Sequence, residues 1–183
     1  RYAGANPNNY VCFGSDTSPC PEDNLYRIIG VFDNQVKLIK ANIAKSNLLG
    51  TDGAYNSDTT YKWSSLSSCP SSTAYNSNNG IYQLANKNII AIPEPGAGEC
   101  NEWKYSDLNT TNLNTNFINN IGITWSNKIA TTTWKVGGGS STYLYDVPKT
   151  AYQYEVGSSA STTTVDKKIG LMYVSDYGFA ADQ

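Results

Sequence analysis

Residues 25–40, LYRIIGVFDNQVKLIK, constrain this chain more than any other stretch. Leu25 to Phe32 is a short apolar, β-branched run and reads as a buried strand. Asp33-Asn34 follows, and both residue types tolerate the positive φ of a two-residue turn. Gln35 to Lys40 then alternates, with Val36 and Leu38 on one side. The prediction is a β-hairpin.

Composition sets the class. The 183 residues are one domain's length. Only 15% are charged, against ~25% in an average soluble domain, and the net charge is −2. In place of charge stand 21 Asn, 19 Ser and 17 Thr, with 14 Tyr. A surface of neutral amides and hydroxyls is common in secreted and cell-wall proteins. Aromatic residues at 12% argue against disorder, because rings must be buried or used. No basic stripe exists for counterion-driven binding, so nucleic acid is excluded as a partner. No run approaches ~18 apolar residues, so a membrane is expected only through an N-terminal anchor absent from this sequence. The chain has no histidine. That removes the commonest general base, the triad imidazole and the usual zinc ligand together.

Four cysteines point to an oxidising, exported setting. They permit three pairings, of which Cys12–Cys20 with Cys69–Cys100 is favoured, because the first pair lies in one turn-rich loop. Along the chain, residues 1–24 read as loop. Residues 44–80 read as an extended surface loop pinned by Trp63, and Asn88 to Ile92 as a short strand ended by Pro93 and Pro95. A helix starts at Ser106, with Ser106 or Thr110 as cap and Leu113, Phe117 and Ile121 recurring every four residues beside Ile118; Gly122 ends it. Its many Asn and Thr are poor helix formers, so packing must hold it. A short turn follows over Thr124 to Ile129. Thr131 to Val136 reads as a strand leading into Gly137-Gly138-Gly139, residues 157–164 as a flexible loop, and Lys168 to Val174 as the last strand. Ser175-Asp176 starts a capped turn. The fold expected is α+β: one strand-dominated domain over residues 1–183, with one or two helices and long polar loops.

Candidate chemistry is sparse. Glu94, Glu99 and Glu102 are near one another, and a glycosidase needs two carboxyls ~5–10 Å apart, but solvated acids are the ordinary state of such a loop. Asp52, Asn56 and Asp58, with Gly53 for the turn, alternate oxygen ligands and form the candidate calcium loop; the EF-hand spacing is not met. No other cofactor is expected. Tyr61 and Trp63, with Tyr75 and Tyr82 behind them, are the candidate sugar-stacking platform, whereas Trp103, Trp125 and Trp134 read as core. Gly137-Gly138-Gly139 lacks the Lys-Ser/Thr of a phosphate loop and reads as a turn. Asn109-Thr110-Thr111 matches a glycosylation sequon and also suits a helix entry.

Several segments together resemble a family of uncharacterised exported proteins of gut Firmicutes and related low-GC Gram-positive bacteria. They are YAGANPNNYVCF (2–13), LYRIIGVFDNQVKLIK (25–40), NEWKYSDLNTTNLNTNFINNIG (101–122), ITWSNKIATTTWKVGG (123–138) and KIGLMYVSDYGFA (168–180). The resemblance implies an ectodomain displayed behind a membrane-anchoring N-terminal segment, of pilin-like or distantly C-type-lectin-like fold. Such relatives continue past the last segment into further strands, so this chain is expected to be incomplete at its C-terminus, or to carry an edge open to strand donation. The expected function is non-enzymatic: an extracellular or cell-surface structural or adhesion protein, of which a pilin-like filament subunit is one form. Its partners would be like subunits, or a surface glycan or protein. The alternative is a lectin-like glycan-binding module using loop aromatics and calcium.

Overall fold

The computed structural model describes residues 7–56, 60–61, 75–76, 81–84, 87–91, 103–137 and 147–180; for 56, 60–61, 75–76, 81–84, 87–91, 105 and 180 the backbone course alone is described. In chain order the regular elements among the described residues are β1 (Tyr10–Cys12), a 3₁₀ turn (Glu22–Asn24), β2 (Leu25–Phe32), β3 (Gln35–Lys40), α1 (Ser46–Leu49), β4 (Tyr55–Asn56), β5 (Thr60–Tyr61), β6 (Tyr75–Asn76), β7 (Ile81–Leu84) and β8 (Lys87–Ala91). There follow a 3₁₀ turn (Trp103–Tyr105), a π-helix (Leu108–Phe117), α2 (Ile118–Asn120), α3 (Ile123–Ser126), β9 (Thr132–Lys135), α4 (Pro148–Glu155), β10 (Thr164–Lys167) and α5 (Val174–Ala180). The fold is α+β. Lys45–Asn120 forms one compact unit, and the segments flanking it form another.

The flanking unit is built on the predicted hairpin. Asp33 and Asn34 both take positive φ, 48° and 63°, the turn that matches strand twist. β1 adds to the free side of β2, giving an antiparallel sheet in the order β1-β2-β3. The loop between β1 and β2 is closed by the Cys12–Cys20 disulfide, whose Cα atoms are 5.7 Å apart. Phe13, next to that bridge, sets its ring edge-on to Tyr26 at 5.6 Å and to Trp125 at 5.1 Å. Those rings cover one side of the hairpin at its open end.

The ladder slips by one residue between Ile28 and Gly30. Such a bulge re-aims the side chains beyond it. Near the turn, Val31 and Val36 stand opposite each other and are exposed at 61% and 55%. The neighbouring Lys37 turns inward instead. Alternation therefore places Val36 and Leu38 on one side, as read from the sequence, but packing near the turn favours the side that carries the lysine.

β9 and β10 pair antiparallel, with Trp134 opposite Val165. The final strand is thus Thr164–Lys167, not Lys168 to Val174. Apolar content suggested the later segment; pairing selected the earlier one, whose Val165 is buried. The segment after it runs past Trp134, whose indole Nε1 donates to Lys167 O at 2.9 Å. A Cβ on Gly170 would sit 2.5 Å from that indole, so only glycine passes there. Leu171 and Met172 stay 43% and 41% exposed. Residues 157–163 form hydrogen-bonded turns, Ser159 N donating to Gln153 O at 3.2 Å. α4 is a helix the sequence reading left out; Pro148 occupies its first turn, where a missing N–H costs nothing.

In the Lys45–Asn120 unit, the expected surface loop contains α1, the β4–β5 pair and β6. β6, β7 and β8 form a second three-stranded sheet. β8 falls within one residue of the strand expected at Asn88 to Ile92. Trp103, Leu49, Ala54 and Phe117 are its buried apolar residues among those described.

The expected helix forms with π winding through Leu108–Phe117. Its i→i+5 bonds suit a sequence of Asn and Thr, whose side chains join the pattern. Thr115 Oγ1 donates to Thr110 O at 2.8 Å and Asn114 Nδ2 to Asn109 O at 3.0 Å. Ser106 caps it, its Oγ accepting from Asn109 N at 3.2 Å. Gly122, φ 85°, ends the helical run, as predicted.

Candidate functional site

Three of the segments singled out above meet around Lys37. Its Nζ pairs with Asp176 Oδ2. The rings of Tyr173, Trp134 and Phe32 surround the same nitrogen, with centroids at 4.5, 5.5 and 5.8 Å. A cation over ring faces is favourable, more so away from water. Asp176 is 3% exposed and the Lys37 side chain 19%. Residues 139 apart in sequence thus meet at a carboxylate held almost entirely out of water, with the lysine partly exposed.

Neighbouring groups fix this geometry. The Tyr173 hydroxyl accepts from Lys135 N at 3.0 Å and donates to Lys135 O at 3.2 Å, holding the ring to β9. Burial raises the Tyr173 pKa, the Lys135 hydrogen bond opposes that, and the charges of Asp176 and Glu155 raise it further. Glu155, at the end of α4, caps α5: Oε1 accepts from Val174 N at 2.9 Å and Oε2 from Ser175 N at 2.8 Å. Two otherwise orphan N–H groups of a helix start are satisfied by one carboxylate, which the helix dipole also favours. The predicted capped turn at Ser175-Asp176 is real, but its cap comes from Glu155. Ser175 is fully buried and its Oγ has no hydrogen-bond partner. Gly178 lets α5 close on α4; a Cβ there would lie 2.9 Å from the Pro148 ring.

A second polar constellation lies within the Lys45–Asn120 unit. Asn112, Asn116 and Asn120 recur every four residues and all donate to one chain segment. Asn120 Nδ2 reaches Leu48 O at 3.0 Å, Asn116 Nδ2 reaches Leu49 O at 3.0 Å, and Asn112 Nδ2 reaches Leu49 O at 2.8 Å and Asp52 O at 3.0 Å. Asn112 Oδ1 accepts from Ala54 N at 2.9 Å. The carbonyls that α1 leaves open at its C-terminus are satisfied this way. Asn109 of the sequon is fully buried, its amide donating to Trp103 O at 3.0 Å.

Of the calcium candidates, Asp52 sits in that docked turn, its Oδ1 accepting from Asn116 Nδ2 at 2.6 Å. Asn56 ends β4 with only its backbone described, and Asp58 lies outside the described residues. Among the described residues no three His, Cys, Asp or Glu side chains gather as a metal site. Tyr75 and Tyr82 stand directly opposite each other on β6 and β7, and Tyr61 stands opposite Tyr55 on the β4–β5 pair. Trp63, Cys69, Cys100, Glu94, Glu99 and Glu102 lie outside the described residues.

Sequence reasoning missed Lys37, Glu155, Tyr173 and the asparagine ladder. The ladder did leave a signal. Asn112-Leu113, Asn116-Phe117 and Asn120-Ile121 repeat an asparagine–apolar pair at the helical interval, so a polar stripe runs beside the apolar one. The Lys37–Asp176 pair left none, since nothing local links the two residues.

No described helix is long and apolar enough to cross a membrane, and the Cys12–Cys20 bridge fits an oxidising, non-cytoplasmic setting. Comparison with family models, curated proteins and solved structures found no match for this chain.

Proposed function

We propose that this chain is an extracellular, surface-displayed binding or assembly domain that performs no catalysis. One observation carries the reading. The charged groups of its buried polar cluster are bound internally: Lys37 to Asp176, and both oxygens of Glu155 to the start of α5. A general acid or base needs a free edge toward a substrate, and these groups hold the fold together instead. The apolar pair Val31 and Val36, together with Val174 and Tyr177, at 45% and 66% exposed, supplies surface for macromolecular contact. The neutral polar composition and the disulfide support export.

The form favoured is a structural or adhesion protein that meets like subunits or a surface protein, as in a pilin-like filament. A glycan-binding module is the second reading, supported by the register pairing of Tyr75 with Tyr82 on β6 and β7. Electron microscopy and light scattering on the protein purified from its source separate the two. Filaments or defined oligomers support assembly. A monomer that binds immobilised glycans, with a calcium-dependent thermal midpoint, supports the lectin form. Turnover of a glycan or peptide library would overturn both.

A further inference from the structure

We propose that β3 is the edge through which two copies of this chain pair, antiparallel about Leu38. The inference rests on the assembly reading above and names the surface it would use. β3 is the outer strand of the sheet β1-β2-β3, and among the described residues no strand pairs with its other side. Which backbone groups face that side follows from the ladder. The two-residue turn sets Gln35 opposite Phe32 as a hydrogen-bonded pair, and at the far end Ala41 N donates to Leu25 O at 3.0 Å. The odd-numbered residues of β3 therefore face β2. Val36 and Leu38 direct their N–H and C=O groups outward, with Lys40 in the same phase. The slip between Ile28 and Gly30 puts its extra residue on β2, so β3 keeps one phase throughout.

A row of outward backbone groups is a template for another strand. Phase and charge together select the register. Outward groups must meet outward groups, and like charges directly opposite are destabilising. Pairing about Leu38 lays Val36 opposite the partner's Lys40 and Lys37 opposite the partner's Ile39. Residues 36–40 then overlap with no lysine facing a lysine. Sliding one allowed step toward the turn opposes Lys37 to the partner's Lys37. A step the other way leaves only residues 38–40 overlapping. The apolar pair Val31 and Val36 lies beside the same edge, 61% and 55% exposed, so a second strand also shields apolar surface. Each copy contributes one short strand, and the dimer is expected to be weak and concentration-dependent.

Sedimentation equilibrium and amide exchange on the full chain, over a concentration series, test the pairing. Exchange at Val36 and Leu38 should slow as concentration rises, while Lys37 and Ile39, which face β2, stay unchanged. Val36→Lys sets a lysine opposite the partner's Lys40 twice per dimer and should weaken association roughly tenfold. Val36→Glu places opposite charges there and should keep or tighten it. The net charge of −2 would alone give the reverse order, because the glutamate adds to self-repulsion. Equal weakening by both variants overturns the proposal, since only the apolar valine then mattered. Val36 and Leu38 amides protected equally at every dilution also overturn it, because the chain then covers its own edge. Oligomers that survive Val36→Lys with those amides exchanging fast overturn this edge and leave the assembly reading standing. A chain monomeric at every concentration overturns both.

Discussion

In the flanking unit, order over long sequence distances comes from aromatic rings gathered around one ion pair. In the Lys45–Asn120 unit, asparagine amides reaching backbone carbonyls do the same work. The first arrangement depends on charge, so removing the lysine takes the cation away from a buried carboxylate. The second distributes its bonds over Asn109, Asn112, Asn116 and Asn120, all neutral. Loss of one member leaves individual donors or acceptors unmet, but no buried charge. Both units bury polar groups beside their apolar cores, and they should fail differently.

The largest effect is expected from Lys37→Ala. It removes the cation from the buried Asp176 carboxylate, and breaking a buried pair typically costs about 3–5 kcal/mol. Urea unfolding should show that loss, with Lys37→Met combined with Asp176→Leu recovering most of it. If Lys37→Ala costs under about 1 kcal/mol, which is the scale of an exposed pair, the charged half of the comparison is wrong. Asn112→Leu comes next. It orphans the Ala54 N–H and removes two further hydrogen bonds, for about 2–4 kcal/mol. The comparison breaks if truncating its half-buried neighbour, Leu113→Ala, costs more.

Alkali offers a smaller test that singles out one unit. Burial pushes the Tyr26 pKa up to about 12 from its ordinary 10.0. The unfolded chain therefore releases this proton first. Stability from Tyr26 is complete below pH 10.0 and falls as pH rises toward about 12. At ~1.4 kcal/mol per pH unit the loss approaches about 2–3 kcal/mol. Hydrogen exchange from pH 8 upward should show amides of β2 losing protection before those of the π-helix, and Tyr26→Phe should remove part of that alkaline loss. The smallest effect is expected from Glu155→Gln. It keeps an acceptor at the start of α5 but removes the charge that the helix dipole favours, for about 1 kcal/mol. Its signature is selective exchange at Val174 and Ser175.

How much was legible follows from the range of each signal. The hairpin could be read because its strands, turn and alternation lie within sixteen consecutive residues, and the turn needed only two residues tolerant of positive φ. The Cys12–Cys20 bridge and the stop at Gly122 are similarly local. Lys168 to Val174 misled because apolar content does not reveal a pairing partner; β9 took Thr164–Lys167. Helix α4 was passed over because its interior-facing residues are Ala151 and Glu155, a weak apolar signal. Of the candidate ligand residues, Tyr75 and Tyr82 proved to be register partners, while Asp52 proved to be an acceptor for Asn116.

By itself, then, the sequence determined the α+β class, the hairpin with its Asp33-Asn34 turn, the small disulfide loop and the helical run from Ser106 to Gly122. Each follows from dihedral preference or periodicity among near neighbours. Only the tertiary structure decided that Lys37 rather than Val36 turns inward near the turn, that Glu155 caps α5, and that Asn112, Asn116 and Asn120 close the end of α1. Those outcomes depend on what stands opposite. A lysine is an outward residue until two rings and a carboxylate arrive from more than ninety residues downstream to join Phe32 around it, and an asparagine is a poor helix former until open carbonyls lie within its reach.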